Sequence, residues 1–174
     1  MKKYLYLSFC IVIALTFLSG CSGYNNSKIA EGAENKNVHQ SSETIDWEPT
    51  AYETVNNFAG VTMTVKKGTV SPSGLTVAFK NNSDKQCIYG EYFLLEKKIN
   101  EKWYRVPVVI DGHYGFDTIG YDLASGKEGE WKVNWDWLYG SLDPGEYRIV
   151  KDILDFRNTG DYDKYYLAAE FIID

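Results

Sequence analysis

Beyond residue 58 the chain is written in alternating hydrophobic and polar positions. Val61, Met63 and Val65 alternate with Thr62, Thr64 and Lys66, and Leu75, Val77 and Phe79 alternate with Thr76, Ala78 and Lys80. A period of two puts one set of side chains on one face of an extended strand and the other set on the opposite face. The same reading predicts strands over 92–98, 103–109, 130–136, 147–151 and 165–173, with a short one near 119–123. Turn chemistry separates them: Ser71-Pro72-Ser73-Gly74, Asn81-Asn82-Ser83-Asp84, Asn100 and Asp143-Pro144-Gly145. Pro, Gly, Asn and Asp supply the special backbone angles and local hydrogen bonds that reverse a chain. Pro107 cannot donate to a ladder, so the strand holding it belongs at an edge or a bulge. Residues 110–126 and 155–163 read as polar connections, and no stretch of ten residues shows the helical period.

About seven strands in ~115 residues, with turns every 8–12 residues, have the size and rhythm of an all-β, immunoglobulin-like antiparallel β-sandwich. Polar residues alternating with apolar ones imply sheets with one face in water. A small closed barrel is the competing architecture, because strand spacing does not fix closure. On the inward face of 130–136 lie Trp131 and Trp135, with Trp137 just beyond. Core packing is the leading reading for the first two, and Trp137 is expected to plug one end of the sandwich. The alternative is a platform of the three rings stacking on a glycan.

The chain before this domain has a different texture. Lys2 and Lys3 precede an apolar run from Tyr4 to Leu18. That run is too short for a permanent span of ~20 residues and has the layout of an export signal. It ends in Leu18-Ser19-Gly20-Cys21, which resembles the lipobox of bacterial lipoproteins. The resemblance implies cleavage after residue 20, diacylation of Cys21 and residence on the extracytoplasmic side of the cell membrane. An ordinary secretory signal followed by a chance Cys is the competing reading. Residues 22–57 are rich in Asn, Ser, Glu, Lys and Gly and read as a tether of roughly 30–36 Å mean span. Its last stretch, Trp47 to Phe58, is expected to dock on the domain or form a short helical turn. The expected organisation is thus a signal peptide over 1–20, a lipidated Cys and tether over 21–57, and a domain over 58–174.

Charge changes the picture of partners. Among 174 residues, 18 are basic and 24 acidic, a net of −6. Losing residues 1–20 removes two Lys and no acid, leaving 16 basic and 24 acidic, net −8. A nucleic-acid footprint is absent, and an anionic membrane surface would repel the domain, so lipid rather than charge must hold it there. Of three Cys, Cys10 leaves with the signal and Cys21 is acylated. Cys87 is then alone, no intramolecular disulfide is possible, and a buried small hydrophobe is the expectation.

Candidate chemistry is sparse. His39 lies in the tether and His113 in the loop Asp111-Gly112-His113-Tyr114-Gly115, with no nucleophile signature beside either. A catalytic relay needs a nucleophile on a constrained element next to an oriented base, so no catalytic residue is assigned. Asp155, Asp161 and Asp163 superficially suggest a calcium loop, but Arg157 and Thr159 occupy positions where ligands are required. The segment from Gly126 to Gly129 leads into a strand rather than a phosphate-cradling helix. No cofactor and no metal is expected, and a monomer is.

Residues 60–174 resemble a bacterial Ig-like domain family found in exported proteins and lipoproteins, mainly of Gram-positive bacteria. The resemblance rests on Gly60-Val61-Thr62-Met63, Asn81-Asn82-Ser83, Tyr92-Phe93-Leu94-Leu95-Glu96-Lys97, Trp103-Tyr104-Arg105-Val106-Pro107, Trp135 and Leu142-Asp143-Pro144-Gly145-Glu146-Tyr147-Arg148. It implies that Tyr147, after the turn at Pro144 and Gly145, makes a tyrosine corner, with its hydroxyl bonding backbone across the turn. The competing reading is a strand Tyr with its hydroxyl in water. The implied function is a non-enzymatic binding or structural role at the envelope, its partner an unidentified envelope protein or glycan. The alternatives are a carbohydrate- or peptidoglycan-binding module and a protease-inhibitor-like module using the loop over 110–126.

Overall fold

The computed structural model describes residues 47–174. Nine strands, β1 (Val61–Val65), β2 (Gly74–Asn81), β3 (Cys87–Gly90), β4 (Leu94–Ile99), β5 (Lys102–Arg105), β6 (Gly120–Leu123), β7 (Glu128–Asn134), β8 (Gly145–Asn158) and β9 (Asp161–Ile173), form two antiparallel sheets. The smaller has the order β1-β2-β7, and the larger joins β5, β4, β8, β3 and β6 with β9 along β8. The architecture is a sandwich rather than a closed barrel. Met63, Leu75, Val77, Phe79, Trp131, Val133 and Trp135 meet Tyr147, Ile149, Leu167 and Phe171 as alternation predicts, and Leu95 and Ile153, to which alternation assigns no face, join them in the core.

Three departures from the expected strand plan have physical causes. First, β3 and β4 are halves of one interrupted strand. β9 occupies one edge of β8 along its length, so β3 and β4 share the other edge. Ile88 faces Leu154 and Leu94 faces Val150, so six steps on one strand oppose four on β8. The surplus is a bulge at Glu91-Tyr92-Phe93. Second, residues 155–163 are not a loop. β8 and β9 continue as a hairpin whose tip is Thr159-Gly160, and they are polar there because residues 157–164 are exposed. Third, the strand over 103–109 stops at Arg105, just before Pro107. A single helical turn, α1 (Asp136–Tyr139), follows β7, and the Asn134 side chain accepts the Asp136 N–H at 2.9 Å.

Residues 48–57, at the end of the tether and expected either to dock on the domain or to form a short helical turn, dock as a strap across the outer face of the larger sheet. Pro49 bridges to Tyr104, the Arg105 N–H donates to Glu48 O at 2.8 Å, and the Thr50 N–H donates to Trp103 O at 3.0 Å. This covers the edge of β5. At the other end the Asn56 N–H donates to Tyr166 O at 2.7 Å, the Asn56 Oδ1 accepts from the Ala168 N–H at 2.9 Å, and the Asn57 Oδ1 accepts from the Tyr166 N–H at 3.1 Å. Edge strands invite pairing with other chains, and the strap blunts two of them. Phe58 then enters the core and stacks on Tyr165 at 4.3 Å.

Candidate functional site

The turn before β8 sets the corner. The Tyr147 hydroxyl donates to Asp143 O at 2.8 Å, and its buried ring stacks on Phe171 at 5.7 Å. Between them Gly145 adopts φ +155°, a backbone angle that favours glycine. Lys97 reaches over the Tyr147 ring at 5.1 Å and donates to Pro144 O at 3.4 Å. At the opposite side of the core Asn81 is fully buried and ties the sheets together. Its Nδ2 donates to Lys85 O and Leu123 O, and its Oδ1 accepts from the Ser83 N–H and hydroxyl. These two residues explain two of the motifs singled out in the sequence as fold chemistry.

The three tryptophans separate. Trp135 is buried against Phe171 at 5.6 Å, with its indole N–H donating to Pro72 O at 2.9 Å. Trp131 is buried on the same inner face. Neither ring offers a free face to a sugar. Trp137 does not plug the sandwich: α1 turns it outward, 45% exposed, where it meets Phe116 at 5.7 Å and Tyr114 at 6.4 Å. The aromatic surface at this end is therefore assembled from α1 and the loop after β5, elements that strand alternation does not pair.

Behind Trp131 lies a buried cation that the strand pattern does not announce. Lys151 points inward opposite the bulge, and its Nζ donates to Gly90 O at 2.6 Å and Tyr92 O at 2.9 Å. The same nitrogen sits 3.6 Å from the centroid of the Trp131 ring. Carbonyls freed from the ladder by the bulge thus find a donor, as buried polar groups must. Burial pushes the Lys151 amine down to about 7, against the opposing pull of Asp152 and Glu91. Glu91 in turn accepts from the Tyr121 hydroxyl and, at 3.4 Å, from the Trp131 indole N–H.

A second charged pair is buried under the strap. Arg148 Nε donates to Glu96 Oε2 at 2.6 Å, the guanidinium stacks on Trp103 at 4.5 Å, and its NH2 donates to Thr50 Oγ1 at 3.3 Å. The other Glu96 oxygen, Oε1, is buried without a hydrogen-bond partner. Tyr52 on the strap packs on Tyr166 at 4.9 Å. Its hydroxyl is held protonated well above the usual tyrosine range by burial first, then by Tyr92 and the charge of Glu96.

None of these groups makes a catalytic relay. His113 is exposed in the loop after β5. Cys87 is buried, and burial pushes its thiol up to about 11, which leaves it protonated and inert at neutral pH. Among the described residues no group of three or more His, Cys, Asp or Glu is arranged to hold a metal ion. The three aspartates of the β8–β9 tip are bound by an internal cation: Arg157 lies 2.7 Å from Asp161, 3.0 Å from Asp163 and 3.6 Å from Asp155. His39, Cys21 and the lipobox-like segment lie outside the described residues.

No curated protein matches the chain. Among solved structures, the ASH / PapD-like domain of human CEP192 (PapD-like domain 7) is similar at 10% identity over 70% of this chain and 94% of that chain, with a TM-score of 0.28. The family model described as a bacterial Ig-like domain matches residues 57–172, from the end of the strap to the penultimate residue of β9. The sandwich, the turn before β8 and this match agree: the chain belongs to the bacterial Ig-like domain family.

Proposed function

We propose that the chain is a non-enzymatic binding module, anchored by lipid at Cys21 and displayed on the extracytoplasmic side of the cell membrane. The observation that carries the anchoring is the sequence Leu18-Ser19-Gly20-Cys21 directly behind two lysines and a short apolar core. The burial of Cys87 is consistent with it, because that thiol is not available to pair with Cys21. Two acyl chains give stable attachment where one would not, which suits a domain whose net negative charge offers no electrostatic hold. A binding role rests on the Tyr92 ring, which the bulge between β3 and β4 leaves 40% exposed.

A protease-inhibitor-like role fits less well. Such a role needs a protruding rigid loop, and the chain leading into the loop over 110–126 is tied to the domain just after β5. The Val106 N–H donates to Leu95 O and the Val109 N–H to Leu138 O, each at 2.9 Å.

The test is fractionation with intact-mass measurement of the envelope protein. The expected product lacks residues 1–20 and carries two acyl chains on its first residue, and Cys21→Ala abolishes both changes. An unmodified Cys21 in the membrane fraction refutes the anchoring.

A further inference from the structure

The strap does more than cover edges. Between it and the outer face of β8 and β9 lies a cleft of about 600 Å³. That volume falls within the ~300–1,000 Å³ typical of small-molecule sites. Tyr52, Tyr92 and Tyr166 line it, together with Asp152, Lys164 and Asn57. Tyr92, carried outward by the bulge, is 40% exposed. Asp152 and Lys164 pair at 3.3 Å with both side chains still partly open to solvent.

This lining has a specific chemical complement. A tyrosine ring has a flat apolar face and a polar tip. A carboxylate accepts hydrogen bonds, an ammonium donates them, and a carboxamide does both. A sugar ring presents an apolar C–H face and a rim of hydroxyls that both donate and accept. The protonated Tyr52 hydroxyl is directed at Tyr92, which holds the two rings together in the lining. Charge narrows the class. Glu53 joins Asp152 in the lining against the single cation Lys164, in a chain of net −6. A phosphate or uronate would meet repulsion there. An extended peptide added to the sheet is also disfavoured, because Asn56 and Asn57 already bond the β9 edge at Tyr166 and Ala168.

We propose that the cleft between the strap and the β8–β9 face binds an uncharged oligosaccharide. The inference rests on the binding-module reading and gives that module a site and a ligand class. It moves the sugar contacts away from Trp131 and Trp135, which are buried between the sheets, to tyrosines on the outer face of the larger sheet.

The test is calorimetric titration of the mature protein, extracted in a detergent without a sugar headgroup, with cellotetraose, chitotetraose and, as the charged control, tetragalacturonate. At least one uncharged tetrasaccharide should bind. Tyr92→Ala should weaken it tenfold or more while the unfolding midpoint stays within a degree or two, and Trp137→Ala should leave it unchanged. Tyr52→Phe, which keeps the ring against Tyr166, should weaken binding several-fold. Silence with both uncharged probes at millimolar concentration overturns the inference. So does equal or tighter binding of tetragalacturonate, or binding lost in Trp137→Ala and kept in Tyr92→Ala. Membrane attachment, read separately through Cys21→Ala, is untouched by any of these results, so failure of the cleft is distinguishable from failure of the anchored-module reading.

Discussion

Lys151 makes the stability of this domain rise with pH, in the same direction as an acid-labile salt bridge but in a window several pH units higher. Its amine is buried, and burial lowers it from 10.5 to about 7 despite two carbonyl acceptors and the Trp131 face. Between those pH values the unfolded chain holds a proton that the folded chain has released. Stability therefore rises with pH wherever the unfolded state binds more protons. At about 1.4 kcal/mol per pH unit, the whole interval from about 7 to 10.5 is worth about 5 kcal/mol, a large share of the ~5–15 kcal/mol of an ordinary domain. The contribution is smallest below pH 7 and complete above 10.5. Cys87 and the buried tyrosines act oppositely at higher pH, because their folded values are raised and the unfolded chain loses protons first. The clean window is thus pH 7 to 8.5, where Lys151 alone should add about 1.5–2 kcal/mol. Urea unfolding across that window, followed by tryptophan fluorescence and fitted with a common slope, measures it. Lys151→Met removes the titration and should flatten the profile. A wild-type profile no steeper than that of Lys151→Met would show that the carbonyls and the indole keep the ammonium charged, and would refute the reasoning.

The remaining predictions concern single side chains. Tyr147→Phe should cost roughly 0.5–1.5 kcal/mol, the lower part of the hydrogen-bond range, because the abandoned carbonyl belongs to exposed Asp143 and can hydrate. Tyr147→Ala also empties a ring-sized space against Phe171 and should cost about 3–5 kcal/mol; an unchanged urea midpoint for Ala would contradict the buried corner. Glu101 sits at φ +63° beside Asn100 at +50°, the geometry of a two-residue type I′ turn that favours Asn-Gly. Glu101→Gly should accordingly raise stability by roughly 0.5–1 kcal/mol, and a loss would mean that the turn tolerates a side chain without strain. The Cys87 thiol should react with a thiol reagent only after denaturation, and rapid labelling of the folded chain would place it at the surface.

The alternation of apolar residues was enough to place the core. Met63, Phe79, Trp131, Trp135, Ile149 and Phe171 all face inward as period two requires, because a half-buried strand has only one register that hides its apolar set. Turn residues marked the corner at Pro144-Gly145 for the same local reason: backbone geometry there is set by residues adjacent in sequence. The number of strands was less legible. β3 has only Cys87 and Tyr89 to point inward before the bulge, too few for a pattern, and the tip of the β8–β9 hairpin is polar because water reaches it.

Tertiary structure alone decided the rest. The aromatic residues between Trp47 and Phe58 left docking or a helical turn as alternatives, and it is the free edges of β5 and β9 that select docking by giving residues 48–57 backbone partners. Lys151 reads as a polar residue at the end of a strand, and only the bulge on its neighbour supplies two carbonyls to receive it indoors. The candidate cleft likewise joins Tyr52, Tyr92 and Tyr166, from the strap, the bulge and the last strand, at positions more than a hundred residues apart at the extremes. Periodicity reports which face of a strand is apolar, a property of neighbours along the chain. Which edge is covered, which charge is enclosed and which rings converge depend on partners brought together by folding, and no local pattern encodes them.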